Sequence, residues 1–168
     1  MNPRQDRSSK SALRHASKRL EELNDEFKEI TGSPTQLDRE SSMERAFTVL
    51  KLMRGIVRNT NYTKTVRRKW QTEINLKEAK LLQLKQLALE RQPMQIHELL
   101  NQLEGLISDA KDGNASPQAV RSHVSKTNSF LVHTYPSVHK TNGQQALNET
   151  ARGFRLWLQQ HKQSRVVD

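Results

Sequence analysis

The sequence predicts an all-α protein: a bundle of about six amphipathic helices, elongated or divided into two small lobes. Three observations predict it. Apolar residues recur at alternating spacings of three and four, as in Leu13, Ala16, Leu20, Leu23, Phe27 and Ile30. Pro, Gly and Ser gather where that spacing breaks. Hydrophobic residues are only 33% and aromatics 5% of the 168 residues, which suits helices with much exposed surface better than one large core.

Taken in order, residues 1–11 are polar, carry Arg4, Arg7 and Lys10, and show no period, so a flexible basic arm is expected there. A helical domain is expected over 12–162, with a sub-boundary near 92, and a flexible tail over 163–168. The first helix begins near Leu13. Gly32 ends it and Ser33-Pro34 makes the turn. Its basic first half and Glu-rich second half nearly balance, which marks it as structural. Gln36 to Glu40 reads as a linker or a short helical turn.

Ser41 and Glu44 then form a Ser-x-x-Glu capping box, in which each side chain can satisfy a free backbone N–H of the first turn. Met43, Ala46, Leu50, Met53 and Val57 give this second helix a single apolar face, as far as about Asn59. A third helix is expected from Lys64 to Arg91, with Val66, Trp70, Leu81, Leu84 and Ala88 on one face. Leucines surround its far end. That pattern fits a bundle hub, or a protein partner or self-association contact through Leu81, Leu82, Leu87 and Leu89.

Gln92-Pro93 is expected to end that helix and start a fourth, since proline is welcome in a first turn and hostile in an interior. Ile96, Leu99, Leu103, Leu106, Ile107 and Ala110 form its stripe, and Glu98, Glu104 and Asp109 give it an acidic outer face. Ser116-Pro117 is another helix start, leading to Val120, Val124, Thr127 and Leu131 before the pattern runs out at Tyr135-Pro136. Ser137 to Gly143 reads as a loop. The last helix turns Leu147, Ala151, Phe154 and Leu158 inward, and Arg152, Arg155 and Lys162 outward.

The charge pattern carries the functional expectation. Between Ala46 and Thr72 there is no Asp or Glu, yet the run holds Lys51, Arg54, Arg58, Lys64, Arg67, Arg68 and Lys69. Solvated helices usually mix the signs, because Glu and Lys four apart support each other. A one-sign run makes sense if an anion, most often phosphate, supplies the missing charge. The bland alternative is a solvated face. Cations opening the Lys64 helix also oppose its dipole. Tyr62 lies in the polar connection between the two basic helices, where its ring could stack on an exposed base or cap the bundle. A second acid-free stretch from Gly113 to Asn148 offers Arg121, Lys126 and Lys140 as a weaker basic surface.

The totals agree with that reading and exclude others. A net charge of +10 favours nucleic acid, an anionic membrane surface or an acidic protein as partner. Without cysteine there is no disulfide scaffold, thiolate zinc site or Cys nucleophile. No two histidines stand four apart with a nearby Glu, and neither a Gly-rich phosphate loop nor a Gly-x-Ser-x-Gly elbow is present. No catalytic, metal or cofactor site is therefore expected. The N-terminus lacks an apolar signal core and no run is long enough for membrane insertion, so an intracellular protein is the expectation. The reading is a non-catalytic nucleic-acid-binding protein that grips RNA or DNA phosphates with weak sequence selectivity. The alternative is a helical adaptor or scaffold subunit of a larger assembly.

Overall fold

The computed structural model describes residues 3–33, 35–59 and 63–167, with side chains from 10 to 162. Among them the chain forms five α-helices, one short 3-10 turn and no strand. These are α1 (Pro3–Thr31), the turn (Gln36–Asp38), α2 (Glu40–Asn59), α3 (Lys64–Lys111), α4 (Pro117–His133) and α5 (Val138–Val167). The chain divides into two compact units, Met1–Ala88 and Leu89–Asp168.

In the first unit α1 packs on α2 through the apolar faces that their sequences define. Leu23, Ala46 and Val49 have no exposed surface, and Phe27, Met43, Leu50 and Val57 are nearly as deep. The 3-10 turn drops Leu37 into the same core. From α3 come Ile74, Leu81 and Ala88. At the edge, Arg45 Nε donates to Glu26 Oε1 at 2.6 Å. That hydrogen bond first, and Coulomb attraction second, raise the guanidinium above its ordinary pKa. Phe47 is covered by Lys85, whose Nζ stands 5.7 Å from the ring centre.

In the second unit α4 packs on α5. Ile96, Leu103 and Ile107 of α3, Val120 and Leu131 of α4, and Leu147 and Phe154 of α5 form one buried cluster. His123 Nε2 donates to the Leu99 carbonyl at 2.9 Å, so this half-buried histidine ties α4 to α3. Trp157 packs at the edge of the cluster, stacked on Phe154.

Five boundaries differ from the sequence reading. Helix α1 begins at Pro3, where residues 1–11 were expected to be a flexible arm; Met1 and Asn2 lie outside the described residues. Proline suits a first helical turn. The tail expected over 163–168 is likewise helical as far as Val167, with Asp168 outside the described residues. Helix α2 starts at Glu40, with the Arg39 carbonyl accepting from Met43 N at 3.3 Å, so Ser41 sits inside the first turn and forms no capping box ahead of it.

The largest difference is α3. Gln92-Pro93 does not separate two helices, so there are five where about six were expected, and Pro93 stands inside one helix. Ile74, Leu81, Ala88, Ile96, Leu103 and Ile107 are all buried. Ile74, Leu81 and Ala88 belong to the first unit and Ile96, Leu103 and Ile107 to the second, so side chains are buried on both sides of the proline. An interior proline costs about 3 kcal/mol, whereas each such side chain gains about 1.5–3 kcal/mol by burial. Burial wins.

Helix α5 starts at Val138, not after Gly143. Ser137 Oγ accepts from Lys140 N at 3.1 Å and caps it. Gly143 is a packing residue: a Cβ there would stand 2.9 Å from Ile96 Cγ2 and 3.1 Å from Leu131 Cδ2. The leucine-rich stretch also divides. Leu81 is fully buried and is core, not an association residue, while Leu82 and Leu87 are 51% and 42% exposed and Leu89 is half-buried.

Candidate polyanion interface

The basic stretch of α2 carries its cations on one edge of the apolar face. Lys51, Arg54 and Arg58 follow at three and four residues, so their side chains leave the helix on one side. Lys51 and Arg58 are exposed, and Arg54 is half-buried. Arg58 falls in the last turn of α2, where a cation is favoured by the helix dipole.

Helix α3 starts after Thr63, whose carbonyl accepts from Arg67 N at 3.1 Å. Lys64, Arg68 and Lys69 are exposed, and Arg67 is half-buried. Arg67, Gln71, Ile74, Asn75 and Glu78 share one face of α3 by their spacing, and that face meets the Arg54 edge of α2. By helical rotation Lys64 falls on that face and Arg68 at its edge, whereas Lys69 points about 160° away from Arg67.

A cleft of about 310 Å³ lies there, lined by Arg54, Val57 and Arg58 of α2 and by Arg67, Gln71, Ile74 and Asn75 of α3. The floor is apolar and the walls present three guanidinium groups and two amides. Arg54 Nη2 donates to Glu78 Oε2 and lies 3.4 Å from Asn75 Oδ1. One cation of the acid-free run therefore already has an internal anion. Arg58 and Arg67 reach the same cleft from different helices, which the sequence could not establish. Tyr62, expected to offer a stacking ring between these helices, lies outside the described residues.

Gln71, Asn75 and Glu78 escaped the sequence reading. Their signal was present as the spacing of four, four and three that follows Arg67, but the ion pair with Arg54 depends on how α2 and α3 are set side by side.

The weaker basic surface expected from Arg121, Lys126 and Lys140 is not assembled. Arg121 borders a groove between α4 and α5, and Lys126 leaves α4 about 140° further round. Lys140 turns inward, donating from Nζ to the carbonyls of Thr134 at 3.2 Å and Val132 at 3.4 Å. A cation satisfying the last carbonyls of a helix is a C-terminal cap, so Lys140 is structural.

Among the described residues no group of three or more His, Asp or Glu is placed to hold a metal, and no helix is long and apolar enough to cross a membrane. Comparison with known proteins found no matching family model, no similar curated protein and no similar solved structure.

Proposed function

We propose that this is a non-catalytic nucleic-acid-binding helical protein, which grips phosphates of RNA or DNA at the α2–α3 cleft with weak sequence selectivity. The supporting observation is the convergence of Arg54, Arg58 and Arg67 on one cavity of about 310 Å³ that Gln71 and Asn75 complete. Glu78 pairs with one of the three, Arg54. A phosphate in the cleft would accept from the Arg58 and Arg67 guanidinium groups and from the amide N–H groups, with Lys51, Lys64 and Arg68 extending the positive field along a strand. Such contacts read the backbone and not the bases, so affinity should depend on salt far more than on sequence.

The test is titration of labelled single-stranded RNA, single-stranded DNA and duplex DNA by fluorescence anisotropy, between about 50 and 200 mM salt. Binding that falls linearly in a log–log plot is expected. Absence of measurable binding at the lowest salt would remove the proposal. The alternative, a helical adaptor or scaffold subunit, draws support from the exposed Leu82 and Leu87. Light scattering separates it: self-association lost in a Leu82→Ser/Leu87→Ser variant would favour that reading.

A further inference from the structure

The second unit carries a groove that the polyanion reading does not use. It lies between α4 and α5 and encloses about 470 Å³. Its floor is apolar, formed by Val120, Val124, Leu147, Ala151, Phe154 and Leu158. Its polar edge is cationic, with Arg121 and Arg155 beside Ser125, Asn128 and Asn148, and no carboxylate lines it. Arg121 and Arg155 are exposed and form no ion pair among the described residues. The nearest acid along α5, Glu149, is held by Gln145 Nε2 at 3.3 Å.

We infer that this groove docks an amphipathic helix of a partner protein, one whose apolar stripe is edged by carboxylates. The dimensions suit a helix. The lining residues span Val120–Asn128 on α4 and Leu147–Leu158 on α5. At 1.5 Å per residue those are about 12 and 16 Å, or two to three turns of a ligand helix. An apolar trough between two helices accepts anchors at i, i+3 or i+4, and i+7. The charge selects the partner: Arg121 and Arg155 need acids, and a second copy offers none from the same patch, so the groove is not self-complementary.

The probe is a labelled helical peptide of about three turns with Leu on one stripe and Glu beside it, titrated against the full chain. A Lys-for-Glu peptide tests charge, and a scrambled peptide tests the stripe. The acidic peptide should bind about tenfold more tightly than either. An Arg121→Glu/Arg155→Glu variant should reverse the charge preference, with an unchanged circular dichroism melt showing that it remains folded. An Arg58→Gln/Arg67→Gln variant should bind the peptide as the parent does, which separates this site from the polyanion cleft. Equal binding of all three peptides overturns the inference, as does binding lost only in the Arg58/Arg67 variant. Two other results also overturn it: self-association abolished by the Arg121/Arg155 reversal, which makes a second copy the occupant, and retention of laurate without the peptide, which makes the groove a small-amphiphile site.

Discussion

Gln92 Nε2 donates to the hydroxyl of Thr134 at 2.9 Å, and both side chains are almost wholly buried. The same nitrogen donates to the Tyr135 carbonyl at 2.7 Å, while Gln92 Oε1 accepts from Ser137 Oγ at 2.6 Å. The Tyr135 carbonyl fixes the amide orientation, since a carbonyl can only accept. One side chain of α3 thus satisfies the backbone and side chains of the α4–α5 connection, immediately beside the interior proline. Buried polar groups of this kind stabilise little when paired and cost much when orphaned.

Replacing Gln92 by Ala should therefore destabilise the protein by about 2–4 kcal/mol, combining a cavity with the hydrogen bonds lost to Thr134, Tyr135 and Ser137. Urea unfolding measures it. Gln92→Glu should be worse at neutral pH, because an ionised carboxylate would face the Tyr135 carbonyl. Burial raises the folded pKa of that carboxyl above its unfolded value of about 4.3, so its penalty relative to the parent should shrink as pH falls toward about 4. A penalty independent of pH would contradict the network.

Two glycines in α5 should respond in opposite directions to the same change. A Cβ on Gly143 meets Ile96 Cγ2 at 2.9 Å, and that methyl sits on a short branched side chain in the core. Gly153 has nothing within 4 Å of such an atom. Gly153→Ala should stabilise by about 0.5–1 kcal/mol through helix propensity alone. Gly143→Ala gains the same propensity but forces α5 off its neighbours, at about 1–3 kcal/mol, and should be neutral to clearly destabilising. Thermal melts of the two variants give the comparison; Gly143→Ala melting higher than Gly153→Ala would refute the close approach.

The helical class and most of the core were legible because burial follows a period of 3.6: Leu20, Leu23, Phe27 and Ile30 of α1 are all buried at the positions their spacing marks. What misled were residues judged by local preference. Pro93 and Gly143 look like breaks, but packing overrides each one, through the buried α3 side chains on either side of Pro93 and the close approach of Gly143 to Ile96 and Leu131. The candidate site was legible as a list and not as a shape. Lys51, Arg54, Arg58 and Arg67 stand out by charge, whereas the pairing of Arg54 with Glu78, 24 residues on, is set by the register between two helices. Lys140 shows the same limit, since nothing local says that its ammonium caps α4.

Glu78 pairs with Arg54, which lines the cleft, so it should compete with any external anion. Glu78→Gln should tighten binding of a single-stranded oligonucleotide by a few-fold to about tenfold at low salt. The exposure of this pair, 38% and 37%, keeps its contribution to stability small, within about 1 kcal/mol. Glu73→Gln is the matched control. It removes the same charge one helical turn or so away and lines other cavities. Equal gains from both variants would mean that net charge alone sets affinity and that Arg54 is not part of the contact.

Arg58 and Arg67 carry the sharpest consequence, because they reach one cavity from separate helices. If both touch phosphate, replacing both by Gln removes two ionic contacts, and the slope of log affinity against log salt should become shallower by about 1.4 for a single strand. Lys69→Gln changes a cation on the far side of α3 and should alter the slope little. Affinity and slope must fall together: a drop in affinity at constant slope would mean that the arginines shape the cleft without meeting the strand. Equal losses for DNA and RNA of unrelated sequence are expected, since guanidinium groups at the backbone carry no base information. A variant that binds one sequence normally and another poorly would show that base edges reach the cleft, and the weak-selectivity part of the proposal would fall while the site itself stood.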